Sequence, residues 1–379
     1  IAHSLVGEFN KLSVLILSGS PIIGSFDFRA RVDFVRVPGV IKLRNGDYTS
    51  LKLHLDIEQT MALRASIIQH TADVFDPDIF IVDKEPLGLR GEVGDTLEML
   101  KSRGTPLILG LRDVMDEPEL LAPEWERKHV MPALKDLYDE LWVYGLPQFY
   151  DPLTGVEIPE VIRRKIVYTG YLKHQVPEAL SVKSASVPNT PYILVTAGGG
   201  GDGDVLIDWV LTAYETGMKI PHPALIVLGP FMHTDHQESF LARIEKLESV
   251  SAMTFSSHIE HLMEKAVGVV AMGGYNTFCE ILSFDKPSII VPRTKPRLEQ
   301  YIRASRAQEL GLLSMLNYDN EADPKTMATA LCQLTQQNPP SEIILPGLLD
   351  GLQNINRLVS QYIAKSYRQE LSTIDQLIS

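Results

Sequence analysis

The sequence predicts an α/β protein with two Rossmann-like domains, each a doubly wound parallel sheet. Three observations predict it. Short, continuous apolar runs such as "VLILSG" (14–19), "PLILGL" (106–111), "YILVTA" (192–197) and "ALIVLG" (224–229) fit strands buried on both faces. Amphipathic stretches of helical period lie between them, as crossover helices require. The length of 379 residues exceeds one ordinary core and suggests two.

Taken in order, the first domain (1–171) opens on "IAHSLVGEF", whose Ile1, Leu5, Val6 and Phe9 follow a helical period. The pattern predicts that the sequence begins inside a helix, with its preceding strand and loop upstream of Ile1. Strands are expected at "VLILSG", "DFVRV", "DIFIVD" (78–83), "PLILGL" and "ELWVYG", with helices near 57–75, 90–103 and 124–138. The Pro- and Ser-rich stretch 172–191 has little periodicity and reads as a linker. A second domain (192–346) alternates "YILVTA", a helix from about 204, "ALIVLG", a helix from 236, "SAMTF", a helix at 259–266, "VGVVAM", a helix from 276, "PSIIVP" and a helix from 298. The tail, 347–379, is helical in pattern and expected to pack back on the first domain.

The formal charge of −13 is spread evenly: 19 Lys and Arg oppose 26 Asp and Glu up to residue 170, and 16 oppose 22 beyond it. Such a chain lacks the basic footprint that nucleic acid demands. Cys279 and Cys332 have no ligand spacing with histidine and read as buried thiols in a reducing compartment, which makes the cytoplasm the expected location. No run approaches a membrane span, which leaves peripheral contact open.

In open α/β sheets ligands sit beyond the carboxyl ends of strands, so the loops there carry the chemistry. The first is "TAGGGGDGD", where Gly198, Gly199, Gly200 and Gly201 allow close approach of a phosphate to backbone N–H groups, or form only a flexible turn. Asp202 and Asp204 beside them read as helix-capping acids in preference to a D-x-D metal site, so no metal is expected. In the second, "SSHIEHL", His258 and Ile259 can hold a planar base, or are ordinary helix residues. In the third, "AMGGYNTFCEIL", Gly273 and Gly274 precede Tyr275, Asn276 and Thr277, and Glu280 follows one turn later. A carboxylate there can accept hydrogen bonds from both hydroxyls of a ribose, or simply face solvent. The fourth, "PRTKPRLEQ", brings Arg293, Lys295 and Arg297 to phosphate level, with Glu299 and Gln300 placed to read sugar hydroxyls. Asp83, Glu85, Arg112 and Asp113 follow first-domain strands and are weaker candidates for the cleft.

From about 192 to 316 the order of Gly-rich loop, "HI", "GGYNTFCEIL", "P" and "EQYIRA" resembles the C-terminal domain of the MurG-type glycosyltransferases, of GT-B fold and family 28. The resemblance implies two Rossmann-like domains facing each other across a cleft, a UDP-sugar donor and no obligatory cofactor. It implies that Glu280 holds the ribose, that the glycine loops hold the diphosphate, that Ile259 lies by the base, and that Glu299 and Gln300 read the donor sugar. The implied activity is sugar transfer, inverting, to an acceptor hydroxyl of a glycan, a lipid-linked molecule or a small molecule; a UDP-N-acetylhexosamine is one candidate donor. The first domain resembles the family less, through "IAHSLVGEFNKLSVLIL", and the family's acceptor-side histidine would lie upstream of Ile1, leaving the catalytic base unassigned. A UDP-sugar 2-epimerase of the same fold and a non-catalytic nucleotide-sugar-binding protein are the alternatives.

Overall fold

The strands are β1 (Val14–Ser18), β2 (Val32–Arg36), β3 (Val40–Lys42), β4 (Tyr48–Ser50), β5 (Phe80–Asp83), β6 (Leu107–Arg112), β7 (Glu140–Tyr144), β8 (Ile166–Tyr168), β9 (Ile193–Thr196), β10 (Ala224–Val227), β11 (Val250–Met253), β12 (Gly268–Ala271), β13 (Ser288–Ile290) and β14 (Ser314–Met315). They come from a computed structural model that describes residues 1–42, 48–176, 187–199 and 201–378, with side chains to residue 365 apart from Lys42. Gly200 and linker residues 177–186 lie outside the described residues.

In the second lobe six parallel strands run in the order β11-β10-β9-β12-β13-β14. Their residues are apolar on both faces because helices cover both, and β9, β10 and β12 are buried throughout. The strand order reverses between β9 and β12. Chain leaving these two neighbours therefore diverges, and the loops after them line a crevice at the sheet's carboxyl edge. Those are the two glycine loops.

The first lobe holds a four-stranded parallel sheet, β5-β6-β7-β8, and a separate parallel pair, β1-β2. The expected helix at 57–75 is found at Ile57–Phe75, closed at its start by an Asp56–Gln59 capping box. The helix expected over 124–138 is two, Pro118–Arg127 and Val130–Asp136, broken where His129 takes a left-handed φ of 51°. Sequence period misses this break because Leu121, Trp125, Val130 and Leu134 are all buried on either side of it. The antiparallel pair β3–β4 also goes unforeseen, since three residues are too few to show an alternation.

An apolar junction joins the lobes. Phe149, Tyr171, Tyr275 and Phe278 pack ring on ring, with centroids 5.3–6.1 Å apart along the chain of contacts. The Tyr275 hydroxyl donates to Tyr144 O across the junction at 2.8 Å. At its centre Arg303, on helix Glu299–Glu309, places Nε 2.8 Å and Nη2 2.6 Å from the carboxylate oxygens of Asp113 in the other lobe. Tyr171 donates to the same carboxylate at 2.9 Å. The helix Gly351–Ile378 returns to the first lobe, where Asn354 Nδ2 donates to Thr169 O and Ser4 Oγ to Asn356 Oδ1.

Candidate functional site

The loop after β9 turns tightly before helix Asp204–Glu215: a Cβ on Gly203 would lie 2.1 Å from that of Ala197, so only glycine fits the turn. Gly199 O accepts from Phe231 N–H at 2.9 Å, which ties the loop to the one after β10. Gly198 has a φ of 63° and Gly201 is exposed. The expected capping by Asp202 and Asp204 does not occur. Gly203 takes the cap position, Asp204 lies inside the helix, and Asp202 pairs with Arg293 from the loop after β13. The guanidinium offers Asp202 a full charge where the helix end offers only a partial one.

The loop after β12 holds Gly273 at a φ of 80°, and a Cβ there would come within 2.7 Å of Ile290 Cγ2. Gly274 caps helix Tyr275–Ser283 without a side-chain hydrogen bond and borders open space. The N–H groups of the first turn, at Tyr275, Asn276 and Thr277, are thus left for a ligand. Tyr275 offers only its backbone, because its ring is in the junction; Asn276 is exposed and Thr277 half-buried.

Glu280 is not a solvated helix acid. It is 8% exposed, and the only basic side chain within ion-pair reach among the described residues is His174, whose Nδ1 lies 3.9 Å from Glu280 Oε1. That nitrogen is also 3.9 Å from Glu260 Oε1, on helix Ile259–Lys265. His174 is positioned by its own N–H, which donates to Ser283 Oγ at 2.9 Å. Burial pushes the Glu280 carboxyl up to about 7; His174 opposes the shift and Glu260 adds to it. Ligand atoms of the three residues lie within 4.8 Å of one another, close enough to hold a divalent cation, or to take two vicinal hydroxyls of a sugar.

His258 caps the same short helix and faces the other lobe, with Nε2 3.8 Å from Asp27 Oδ2. Ile259 is half-buried against the core beside it. In the fourth loop Arg293 pairs with Glu299 as well as Asp202. Gln300 Oε1 accepts from Arg293 N–H at 3.1 Å, while Glu299 Oε2 is buried without a hydrogen bond. Arg297 is already engaged: it contacts Asp116 at 3.4 Å and Glu124 at 3.1 Å, both in the first lobe. Its guanidinium therefore bridges the lobes and is not free at phosphate level.

The glycine loops, the bare helix end and the buried carboxylate thus converge at one sheet edge. Residues 193–342 match the family model for the glycosyltransferase family 28 C-terminal domain. The chain carries a family 28 glycosyltransferase domain. It is 23% identical over 356 residues to an uncharacterized glycosyltransferase of Methanosarcina acetivorans, covering 87% of this chain and 85% of that one. Solved structures that share its fold include the following three. A UDP-N-acetylglucosamine 2-epimerase candidate from Listeria monocytogenes has a TM-score of 0.64 at 12% identity, covering 97% of this chain and 92% of the other. MurG of Acinetobacter baumannii has 0.57 at 10%, covering 95% of each chain. UGT2 of Phytolacca americana, complexed with UDP-2-fluoro-glucose and pterostilbene, has 0.57 at 14%, covering 94% and 89%. The fold is GT-B and the enzyme is a glycosyltransferase.

Sequence reasoning about this glycosyltransferase missed His174 and Glu260. His174 stood in a stretch read as linker, where lack of period hides a side chain fixed by one hydrogen bond to Ser283. Arg303 was missed too, although it falls on one helical stripe with the buried Gln300, Ala304 and Ala307. A buried arginine at that spacing demands an acid, and Asp113 supplies it. Removing His174 takes away the one nearby group that favours the Glu280 carboxylate. His174→Ala is expected to move the titration midpoint of the Glu280 carboxyl upward from about 7, read by carboxyl-carbon NMR between pH 6 and 9 in metal-free buffer. An unmoved midpoint would show that the two groups are uncoupled.

Proposed function

We propose that the enzyme transfers a sugar from a UDP-sugar to an acceptor hydroxyl with inversion. The observation that carries this reading is the Glu280 carboxylate, buried with no hydrogen-bond donor among the described residues beside the amino end of helix Tyr275–Ser283. A ribose supplies two donors to that carboxylate. The diphosphate then meets the free N–H groups after Gly274 and the loop Ala197–Gly203, which stabilise the charge that develops as the sugar leaves. Glu299 and Gln300 stand at the amino end of the neighbouring helix, where the Glu299 oxygen left without a partner favours a hydroxyl of the donor sugar. Ile259 and His258 flank the base. Of the five fourth-loop residues first assigned to the donor, Arg297 is best read as holding the first lobe in place.

The relatives support this reading in kind: UGT2 was solved with a UDP-sugar analogue, and the matched family is one of glycosyltransferases. The acceptor is a glycan, a lipid-linked molecule or a small molecule, met in the cleft on the first-lobe side. No helix among the described residues is long and apolar enough to cross a membrane, so a lipid-linked acceptor would be met by peripheral contact. Two free cysteines suit a reducing, cytoplasmic setting.

Calorimetry of the full chain against UDP, with and without EDTA, tests the reading. Binding that survives chelation is expected, because helix ends and the ribose carboxylate need no metal. Loss of all binding on chelation would instead assign His174, Glu260 and Glu280 to a cation. The likeness to the epimerase candidate supplies a second reading, and incubation with UDP-N-acetylglucosamine alone separates the two. A 2-epimer formed without acceptor would overturn transfer as the main reaction.

A further inference from the structure

Around the cleft between the lobes most cations already have an acid. Arg297 reaches Asp116 and Glu124, Lys128 reaches Glu85 and Glu124 at 2.9 and 2.6 Å, and Arg293 is held by Asp202 and Glu299. Lys84 differs. It is half-buried just past the carboxyl end of β5, and its ammonium has neither an ion pair nor a hydrogen bond among the described residues. Burial depresses its basicity most, Arg112 from its own lobe and Arg297 from the other depress it further, and Glu85 and Glu299 only partly oppose them.

The backbone adds a second cost at the same residue. Lys84 takes a φ of 69°, in the left-handed region that favours glycine, and is held there by its N–H on Gly110 O at 2.7 Å and by Glu85 N–H on Asp83 O at 2.9 Å. A left-handed lysine and a half-buried charge without a partner each oppose folding, and both fall at the edge where α/β sheets bind ligands.

Arg112, at the end of the neighbouring strand β6, makes the position more cationic. The only acid within ion-pair reach of it among the described residues is Asp83, at 3.9 Å, and its Cζ lies 5.6 Å from the centroid of the Tyr275 ring. Tyr275 is the first residue of the helix whose amino end was assigned to the diphosphate, so Arg112 stands beside that end. Glu299, which draws the Lys84 ammonium, stands where the donor sugar was assigned. Two neighbouring like charges without full compensation suit an anion lying between the lobes.

We propose that Lys84, with Arg112 beside it, binds the diphosphate of the donor from the first lobe. This rests on the UDP-sugar reading. The base and ribose of the nucleotide then need only the second lobe, whereas its phosphates draw charge from both. As the bond between the anomeric carbon and the phosphate oxygen breaks, its electron pair stays on that oxygen, and the ammonium meets the added charge while keeping its proton. The diphosphate is favoured over an anion carried by the acceptor because Arg112 lies against Tyr275 of the second lobe.

The test compares UDP with uridine, which lacks the phosphates, by calorimetry on the full chain and on its Lys84→Met and Lys84→Gly variants. Wild type should prefer UDP, and both variants should lose roughly tenfold to a hundredfold of that preference while their uridine affinity stays within about twofold of wild type. Glycine suits the left-handed backbone, so Lys84→Gly should melt no lower than wild type, which separates lost binding from lost folding. An unchanged preference for UDP over uridine in both variants overturns the proposal. If inorganic pyrophosphate then binds UDP-saturated wild type but neither variant, Lys84 belongs to an anion of the acceptor instead. A wild type that binds neither UDP nor uridine overturns the UDP reading itself, and the proposal with it.

Discussion

Replacing Arg303 by methionine is expected to lower the unfolding free energy by about 3–5 kcal/mol, because it strands the Asp113 carboxylate inside the protein. Arg303 is 1% exposed and Asp113 is fully buried. Burial opposes the guanidinium's charge and Asp113 more than offsets it, holding the group above its ordinary pKa. The same arginine donates to Gly273 O at 3.0 Å, so the variant should also weaken UDP binding by loosening the glycine turn. Urea unfolding followed by tryptophan fluorescence measures the loss, with Trp142 in the first lobe and Trp209 in the second. The triple variant Asp113→Leu, Tyr171→Phe and Arg303→Met removes the three polar side chains together, leaving only the Val114 N–H and Gly273 O without their former partners, and should recover most of the stability. A loss under about 1 kcal/mol in the single variant would mean that water enters and solvates Asp113.

For Glu280, binding and stability should move in opposite directions. A carboxylate contacting both ribose hydroxyls makes charged hydrogen bonds worth about 1.5–3 kcal/mol each, so Glu280→Ala should weaken UDP binding tenfold to a hundredfold or more. Wild type should prefer UDP to its 2′-deoxy analogue and the variant should barely distinguish them. Equal preference in both proteins would remove Glu280 from the ribose. Glu280→Gln tests the other half. With its carboxyl raised to about 7 from an ordinary 4.5, the folded state binds more protons than the unfolded state between those values. The group's contribution therefore falls as pH rises through that window, and above pH 7 the charge costs at most about 3 kcal/mol. Without ligand, Glu280→Gln should melt higher than wild type at pH 8 and equal to it at pH 4. A variant less stable at pH 8 would show that the charge is well solvated in the folded chain.

These two residues mark where reading the sequence ends. Apolar runs bounded by glycine placed β6, β7 and most of the second lobe, because a strand buried on both faces leaves little room for a polar residue. The glycine pairs and the acid one turn beyond them were legible for the same local reason: a loop at φ near 80° and a helix start are properties of adjacent residues. Glu280 could be singled out by its spacing, but its burial could not, since the walls of its pocket come from His174 and Glu260, 106 and 20 residues away. Arg297 shows the converse. Its spacing suited a phosphate, yet Asp116 and Glu124 reach it from the other lobe. The sequence by itself determined the alternation of strand and helix, the order of the loops and the chemistry each can offer. Only the tertiary structure decided which charges meet and which carboxylate loses its water. Those depend on distances between residues far apart in the chain, and no local period records them.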